Sequence, residues 1–337
     1  MIYAEAFSES ATVQRIFFAV STTSSATGSF CVYNVDVNIF NNDDFWDYGQ
    51  VGFDQDAVIF TANIFGNLGL KGARLFAVAK ARLYNCLGFS VPVFSNLFST
   101  LAPPIVLDQN VNTYLVAAPP NSNTIRKYTL RNASQPNGTT LALSNILVPA
   151  YSVPPDALQP APCTTANSNK LDTSDGRFVN ASTQIGDRLF QVHTINFVGF
   201  PTPKFYEFNT TTNTVVQQGF FFAAGDSDDF NASIAANASR DVYVTWSATR
   251  RSTGTNAQVR FSGRRFFDPA NVIAAGSSLF TSLTCITGNF DPRFRTQRCG
   301  DYSATTVDPS SSLRVWIVNE KINSVGAWGS RIGQIGY

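Results

Sequence analysis

Histidine is almost absent from this sequence, and its scarcity excludes several kinds of catalysis. His193 is the only histidine among the 337 residues, and no Gly-x-Ser-x-Gly nucleophile motif accompanies it. A catalytic zinc site built on several histidines is therefore excluded. Because His193 lies within a short run of strand-forming residues, we interpret it as an ordinary sheet residue.

Charge is also scarce. Asp, Glu, Lys and Arg together make up 14% of the chain, and the net charge is +1. Nucleic-acid binding needs concentrated positive charge, so we expect no nucleic-acid partner. No apolar run approaches the length that crosses a bilayer, so we expect no membrane insertion. The first residues also lack the basic start and apolar core of a signal peptide.

Cysteine is limited to five residues, none of them in a CxxC pair, which makes a structural zinc site improbable. Cys285 and Cys299 bracket a loop rich in Gly, Pro and Arg, and we predict a disulfide between them. The odd number leaves at least one thiol unpaired. A surface rich in Ser, Thr and Asn but poor in charge is typical of extracellular β proteins. We therefore expect an extracellular or cell-surface location.

A strand-turn-strand unit recurs along the chain. Short β-branched and aromatic runs, alternating or continuously apolar, occur at 15–20, 58–62, 114–117, 188–192, 242–246 and 315–318. Six such units without a convincing amphipathic helix predict one all-β domain over residues 1–337, a six-bladed β-propeller. A two-sheet β-sandwich is the alternative.

The residues that precede these strands repeat as well. Asp47-Tyr48 is followed by Asp54, and Asp301-Tyr302 is followed by Asp308 at the same spacing, with a weaker copy at 230–237. The second Asp or Asn of each copy falls where a tight turn is needed, because short polar side chains cap turns. We read each copy as an inner strand, a turn and a central strand.

Two further features concern the boundaries of the domain. Residues 145–176 contain five prolines and no clear strand run, and we predict a long surface insertion there. The first clear strand begins near residue 15, with no full blade before it. A propeller closes by pairing strands from both ends of the chain, so we expect upstream strands that this chain lacks.

The repeated Asp-Tyr pairs supply the candidate catalytic residues: Asp47, Tyr48, Arg298, Asp301 and Tyr302. If the equivalent positions open onto a propeller axis, carboxylates, phenols and a guanidinium would converge there. Paired carboxylates hydrolyse glycosides, and Tyr with an Arg group suits a sialidase. The structural alternative is that the Asp side chains cap loops and the Tyr rings pack between blades.

Two acidic segments are weak calcium candidates, through Asp43 and Asp44 in one and Asp226 and Asp228 in the other. Neither segment matches an EF-hand loop, so solvated polar turns are the simpler interpretation. We expect no other cofactor.

Three segments carry a resemblance to a known family: residues 171–177, residues 71–75 and, above all, the stretch from Arg298 through Gly300-Asp301-Tyr302-Ser303 to Asp308-Pro309. From about residue 14 onward the chain resembles an uncharacterised family of secreted or cell-surface β-propellers, mainly bacterial and loosely similar to sialidase propellers. Cys299 stands where that family usually has Trp, and no intact sialidase Asp-box is present. The resemblance implies upstream strands and no defined activity.

The leading functional hypothesis is a non-catalytic extracellular binding or adhesion module that recognises a glycan or an extracellular protein through loops at one face. The alternative is a sialidase-like glycoside hydrolase that uses the candidate residues above. A purely structural spacer domain is the third hypothesis. Fold resemblance alone does not choose among them.

Overall fold

The computed structural model describes residues 2–8, 10, 12–40 and 43–337. The chain divides into two compact units, one made of Met1–Ala117 with Lys127–Ser144 and the other of Ala118–Arg126 with Asn145–Tyr337. The regular secondary structure of both is almost entirely β-strand. The helices in the described residues are α1 (Lys80–Tyr84) and one turn of 3₁₀ helix at Arg251–Thr253. The predicted all-β class is therefore confirmed.

The first unit contains two antiparallel meanders and part of a third sheet. β1–β2–β3 form the first meander and β4–β5–β6–β7 the second. In the third sheet, residues 127–131 of β10 lie between β9 and residues 140–144 of β11 in strand order. The bounds are β1 Ile2–Ser8, β2 Gln14–Ser21, β3 Phe30–Asp36, β4 Phe45–Phe53, β5 Ala57–Gly66, β6 Gly69–Ala79, β7 Val93–Leu97, β8 Pro104–Val106, β9 Asn112–Ala117, β10 Thr124–Arg131 and β11 Thr140–Leu147.

The core of the first unit follows from the apolar runs of β2 and β5. β2 buries every second residue, and the ring centroid of its Phe18 lies 5.0 Å from that of Phe60 in β5. β5 is buried on both faces, because Phe60 faces β2 while Ile59 faces a second cluster that includes Leu115 of β9. A strand covered on both sides reads as a continuous apolar run instead of an alternating one, as residues 58–62 do.

The second unit contains three antiparallel meanders, β14–β17, β18–β21 and β24–β26, and a small sheet in the order β12–β13–β23–β22. The bounds are β12 Ala157–Leu158, β13 Lys170–Leu171, β14 Ser182–Ile185, β15 Arg188–Phe197, β16 Phe200–Asn209, β17 Thr214–Phe220, β18 Asp228–Ala236, β19 Val242–Arg250, β20 Thr255–Arg264, β21 Ser277–Thr281, β22 Phe290–Asp291, β23 Thr296–Gln297, β24 Ala304–Asp308, β25 Ser311–Ser324 and β26 Ala327–Gly336.

Runs of three or four consecutive strands, each paired with the next, are the unit from which propellers are built. The repeat predicted from the sequence thus corresponds to real strand groups in both units. The number of blades, their closure, the single-domain boundaries and the missing upstream strands stay predictions. Residues 145–176 contribute β12 and β13 and bury Tyr151 and Cys163; their description as an inserted segment also stays a prediction.

The predicted turn residues cap the turns between the first two strands of three meanders. In each case a side-chain oxygen accepts a backbone N–H further along the turn: Asp54 from Ala57 at 2.7 Å, Asp308 from Ser310 at 2.8 Å, and Asn237 from Asp241 at 2.9 Å. These bonds satisfy turn amides that no strand partner can reach, and the sequence interpretation of these positions is confirmed.

A β-bulge marks the beginning of two of these repeats. The register shifts between Asp47 and Gln50 in β4 and between Phe230 and Ser233 in β18. Tyr48 and Asn231, which occupy equivalent places in the repeat, both adopt a left-handed backbone, with φ of 55° and 49°. A bulge changes the direction of the neighbouring side chains. These two copies of the motif therefore share a backbone conformation as well as a sequence pattern.

The predicted Cys285–Cys299 disulfide is wrong. Cys285 bonds to Cys163, with a Cα–Cα distance of 6.2 Å, and Cys31 bonds to Cys86 in the first unit. Gln159 holds the two bonded segments of the second unit together, because its amide accepts from the Ile286 N–H at 2.9 Å and donates to the Ile286 carbonyl at 2.8 Å. Cys299 is buried as a free thiol in an apolar cluster.

Candidate functional site

The candidate site lies in the second unit, where a short parallel strand pair brings two charged residues together. β13 and β23 run parallel with Leu171 opposite Gln297. The residues that follow, Asp172 and Arg298, therefore leave the same end of the pair. Their side chains meet with Arg298 Nε 3.6 Å from Asp172 Oδ2. This contact could not be predicted from the sequence, because the two residues are far apart in the chain and strands of two residues show almost no hydrophobic pattern.

Arg298 is the centre of a group of carboxylates. Its guanidinium donates to Asp301 Oδ2, with Nε at 3.1 Å, and its Nη1 lies 4.0 Å from Asp291 Oδ2. The predicted association of Arg298 with Asp301 is thus present, and Asp172 and Asp291 join it. Arg298 remains 39% exposed at its side chain. Its planar fork is suited to holding several carboxylates at once.

The β22–β23 turn forms one wall of an open depression of about 530 Å³ beside Arg298. Asp291 accepts the Arg293 backbone N–H at 2.9 Å and pairs with the Arg293 guanidinium at 2.8 Å, which fixes the turn. Phe294 at the tip of the turn is 57% exposed, and its ring lies 5.9 Å from the Arg298 guanidinium. We call the surface lined by Asn289, Asp291, Arg293 and Arg298, together with the Phe294 ring beside it, the Arg298 depression.

Glu320 of β25 holds the Gly-Asp-Tyr motif in place. Its two carboxylate oxygens accept the backbone N–H groups of Gly300 at 2.8 Å and of Tyr302 at 3.1 Å. Gly300 has φ of 98°, and a Cβ there would lie 3.0 Å from the Asn231 amide nitrogen. Glycine is needed at this position because of both the backbone conformation and the space. Nothing in the sequence near residue 320 signalled this role.

Burial and pairing shift the acidities of these carboxyl groups in opposite directions. Burial raises the pKa of Asp172 and of Glu320, although each accepts at least one backbone N–H. Hydrogen bonds from Arg293 lower the pKa of Asp291 to about 2. Burial also raises the pKa of the Cys299 thiol, which disfavours its thiolate form.

The other predicted Asp-Tyr pair belongs to the first unit. Asp47 and Tyr48 lie at the bulge of β4, and the Asp47 carboxylate accepts the Tyr48 backbone N–H at 2.8 Å. In the second unit, Tyr302 is 62% exposed and lies two residues before the start of β24. The expectation that the two Asp-Tyr pairs converge on one axis stays a prediction.

The calcium candidates pair with neighbouring groups. Asp43 and Asp44 accept hydrogen bonds from Lys71, at 3.1 Å and 2.6 Å, and Asp44 also pairs with Arg74. Asp226 pairs with Arg250 at 2.6 Å, and Asp228 accepts the Leu158 backbone N–H at 2.7 Å. Asn41 and Asn42, which directly precede Asp43 in the sequence, lie outside the described residues. Calcium binding at either place stays a prediction.

His193 is a buried residue of β15, as interpreted from the sequence. Its Nδ1 lies 2.6 Å from the Gly176 carbonyl and its Nε2 lies 3.1 Å from the Tyr206 hydroxyl. Burial lowers the pKa of His193 to about 3, so the ring is neutral. No described helix has the length and apolar character to cross a membrane.

Comparison with known proteins gives structural likenesses without a sequence family. No family model matches the chain, and no curated protein matches it. The resemblance to a secreted propeller family therefore stays a prediction.

Solved structures with a similar fold include hydrazine synthase from Kuenenia stuttgartiensis, at 10% identity over 91% of this chain and 73% of that one, with a TM-score of 0.45. The β-propeller domain of the trilobed protease from Pyrococcus furiosus matches at 7% identity over 87% and 69%, with a TM-score of 0.40. A GH43_1 enzyme from Xanthomonas citri complexed with xylose matches at 8% identity over 86% and 87%, with a TM-score of 0.37. At these values the likenesses assign no activity.

Proposed function

We propose that this protein is an extracellular, non-catalytic module that binds glycans through the Arg298 depression. The observation that carries the proposal is that the carboxylates around Arg298 are already engaged. Asp301 pairs with Arg298, Asp291 pairs with Arg293, and both oxygens of Glu320 accept backbone N–H groups. Asp172 accepts the Ser174 backbone N–H at 2.8 Å, and its other oxygen lies 3.6 Å from Arg298. Glycoside hydrolysis needs one carboxyl group free to give a proton and a second free to attack or to activate water.

The chemistry of the depression suits a sugar. The exposed Phe294 ring beside Arg298 offers an apolar face to the C–H groups of a pyranose. The Arg293 and Arg298 guanidinium groups and the Asn289 amide line the depression and offer hydrogen bonds to hydroxyls. Turn contacts between Asp291 and Arg293 hold the turn before a ligand arrives. A surface fixed in advance loses less conformational entropy on binding.

An extracellular location is supported by the two disulfides, because such bonds persist in oxidising compartments. The low charge content agrees with this setting. An extracellular protein that presents carboxylates and apolar groups is the other class of partner for the same surface, and it is an outcome of the test below.

A glycoside hydrolase is the second candidate, and one observation favours it. Burial raises the pKa of Asp172, which is the property of a proton donor, and Asp172 shares Arg298 with Asp301 and Asp291. In such an enzyme Asp172 would protonate the glycosidic oxygen and Asp301 would act as the second carboxylate. Asp301 would first have to leave its ion pair with Arg298.

The proposal is tested by binding of the full chain to an array of extracellular glycans. Phe294→Ala removes the exposed ring, and we expect it to weaken binding about two- to tenfold, because an aromatic contact is worth about 0.5–1.5 kcal/mol beyond its buried area. Phe267→Ala is the matched control, since Phe267 is 76% exposed in the same unit but outside the depression. Equal effects of the two substitutions, or no glycan binding by the wild-type protein, would refute the proposal. Binding of a protein alone would point to the other partner class.

A further inference from the structure

A second cavity lies in the first unit, separate from the Arg298 depression. Its volume is about 180 Å³, and its walls include Phe40, Asp44, Lys71, Arg74 and Asn96. β6 supplies Lys71 and Arg74, and the β7 strand supplies Asn96. The cavity has room for a single sugar ring or for one polyol of similar size.

Buried hydrogen bonds fix the floor of this cavity. The Arg74 side chain is 4% exposed, and its guanidinium donates to the Val37 carbonyl at 2.7 Å, to Asp44 at 2.6 Å and to the Ser95 hydroxyl at 3.1 Å. Gly72 beside it has φ of 108°, and a Cβ there would lie 2.6 Å from the Leu97 carbonyl oxygen. The floor is therefore preorganised by contacts that do not depend on a ligand.

The ion-pair cluster at the cavity is balanced in charge. Lys71, Arg74 and Asp44 line the wall, and Asp43, outside the wall, pairs with Lys71 at 3.1 Å, so two positive charges face two negative ones. Burial alone would raise the pKa of Asp44, but the hydrogen bonds from Lys71 and Arg74 hold it below its ordinary value. An anionic ligand would be repelled by Asp44, and a cationic ligand by Lys71 and Arg74, because these residues already pair with one another.

A neutral ligand that both donates and accepts hydrogen bonds fits this arrangement. The Lys71 ammonium carries three N–H groups and uses two of them for Asp44 and Asp43. The Asn96 side chain makes no hydrogen bond within the part of the chain that the structure describes, so its amide can serve a ligand. The Phe40 ring, 60% exposed and 5.2 Å from the Arg74 guanidinium, offers an apolar surface at the rim.

We propose that this cavity is a binding subsite for one neutral pyranose or similar polyol. The inference rests on the proposed function, since it gives the protein a second sugar-binding position in its other unit. A polyol presents hydroxyls to Lys71, Asp44 and Asn96 and its C–H face to Phe40. Charged sugars and simple anions are the wrong class for this subsite, although the Arg298 depression could accept them.

The test is calorimetric titration of the full chain with neutral methyl glycopyranosides (methyl α-mannoside, methyl β-glucoside and methyl β-galactoside), with sodium acetate and ethylammonium chloride as charged probes. Phe40→Ala removes the exposed ring, and Asn96→Gly removes the free amide while keeping the left-handed backbone of Asn96, whose φ is 59°. Leu68→Ala is the control, because Leu68 is fully exposed in the same unit. Circular dichroism of each variant confirms folding.

We expect a neutral glycoside to bind the wild-type protein and Phe40→Ala and Asn96→Gly each to weaken that binding about two- to tenfold, as loss of an aromatic or a hydrogen-bond contact predicts. Leu68→Ala should bind as the wild type does. Glycoside binding that is lost in Phe294→Ala but unchanged in both cavity variants overturns this inference and leaves the proposed function standing. Binding of acetate or ethylammonium that depends on Asn96 overturns the ligand class. No glycoside or glycan binding at all overturns both proposals.

Discussion

Replacing Glu320 by Gln should loosen the Gly300–Tyr302 turn that carries the candidate site. Glu320 is 8% exposed, and it accepts the two backbone N–H groups of that turn, one on each oxygen. Gln keeps the size of the side chain but turns one acceptor into an N–H donor. That donor would then face a backbone N–H, so one of the two hydrogen bonds must be lost.

The magnitude follows from the burial of the two partners. Hydrogen bonds to a charged acceptor contribute about 1.5–3 kcal/mol, and a buried N–H without a partner costs about 1–3 kcal/mol. Gly300 is buried, whereas Tyr302 is exposed and its N–H can turn to water. Burial raises the pKa of Glu320, which means that the charged form is itself disfavoured and that Gln removes this cost. We expect a net loss of about 1–3 kcal/mol in the free energy of unfolding.

The assay is amide hydrogen exchange of Gly300 and Tyr302, together with urea unfolding. In Glu320→Gln the exchange of at least one of the two amides should accelerate, and glycan affinity should fall. Glu207→Gln is the matched control, because Glu207 is equally buried on β16 but accepts its 2.6 Å hydrogen bond from the Gln217 side chain. If both amides of Glu320→Gln stay protected while stability is unchanged, the role assigned to Glu320 is wrong.

Three further outcomes are expected. Burial raises the pKa of Asp228 from 3.8 to about 6; the folded state therefore holds that proton more tightly, and the contribution of Asp228 to stability is greatest below about pH 4 and is lost as pH rises through 6. Asp228→Asn should remove this contribution, worth up to about 3 kcal/mol for two pKa units, and leave that of Asp229, whose pKa burial also raises to about 6; the fall in stability from pH 4 to 7 in urea unfolding should become shallower, and an unchanged pH profile would contradict it. Cys163→Ser should cost about 4–5 kcal/mol, since the bonded cysteines are 122 residues apart, whereas Cys299→Ser should leave both disulfides intact; non-reduced peptide mapping that finds a Cys285–Cys299 link would refute the pairing. Gly72→Ala should destabilise the chain more than Gly69→Ala, because both glycines have positive φ but only the former Cβ meets a carbonyl oxygen; equal unfolding midpoints would show that the carbonyl moves aside.

The strand groups could be predicted because their signal is local. The alternation of β2 and the continuous apolar run of β5 each reflect the burial of that strand alone. The turn positions Asp54 and Asp308 were readable for the same reason, since each caps an amide two or three residues away. The count of blades is not local, because it depends on how strand groups pack on one another.

The candidate site was only partly predictable. Arg298 and Asp301 are three residues apart and pair directly, so the motif itself suggested them. Asp172 reaches the site through the parallel pair of β13 and β23, and Glu320 reaches it from β25. No local sequence pattern predicts such long-range contacts. The disulfide prediction failed in the same way, because nearness along the chain favoured Cys299 whereas Gln159 brings the distant Cys163 segment to Cys285.

The most direct test of the account is to incubate the full chain with a mixed library of extracellular glycans and to follow intact and shortened species by mass spectrometry. We expect selected glycans to leave the supernatant intact with the protein, no shorter species to accumulate, and Phe294→Ala to reduce the depletion. Accumulation of shortened glycans that disappears in Asp172→Asn or Asp301→Asn would contradict it and would establish a hydrolase at the Arg298 depression.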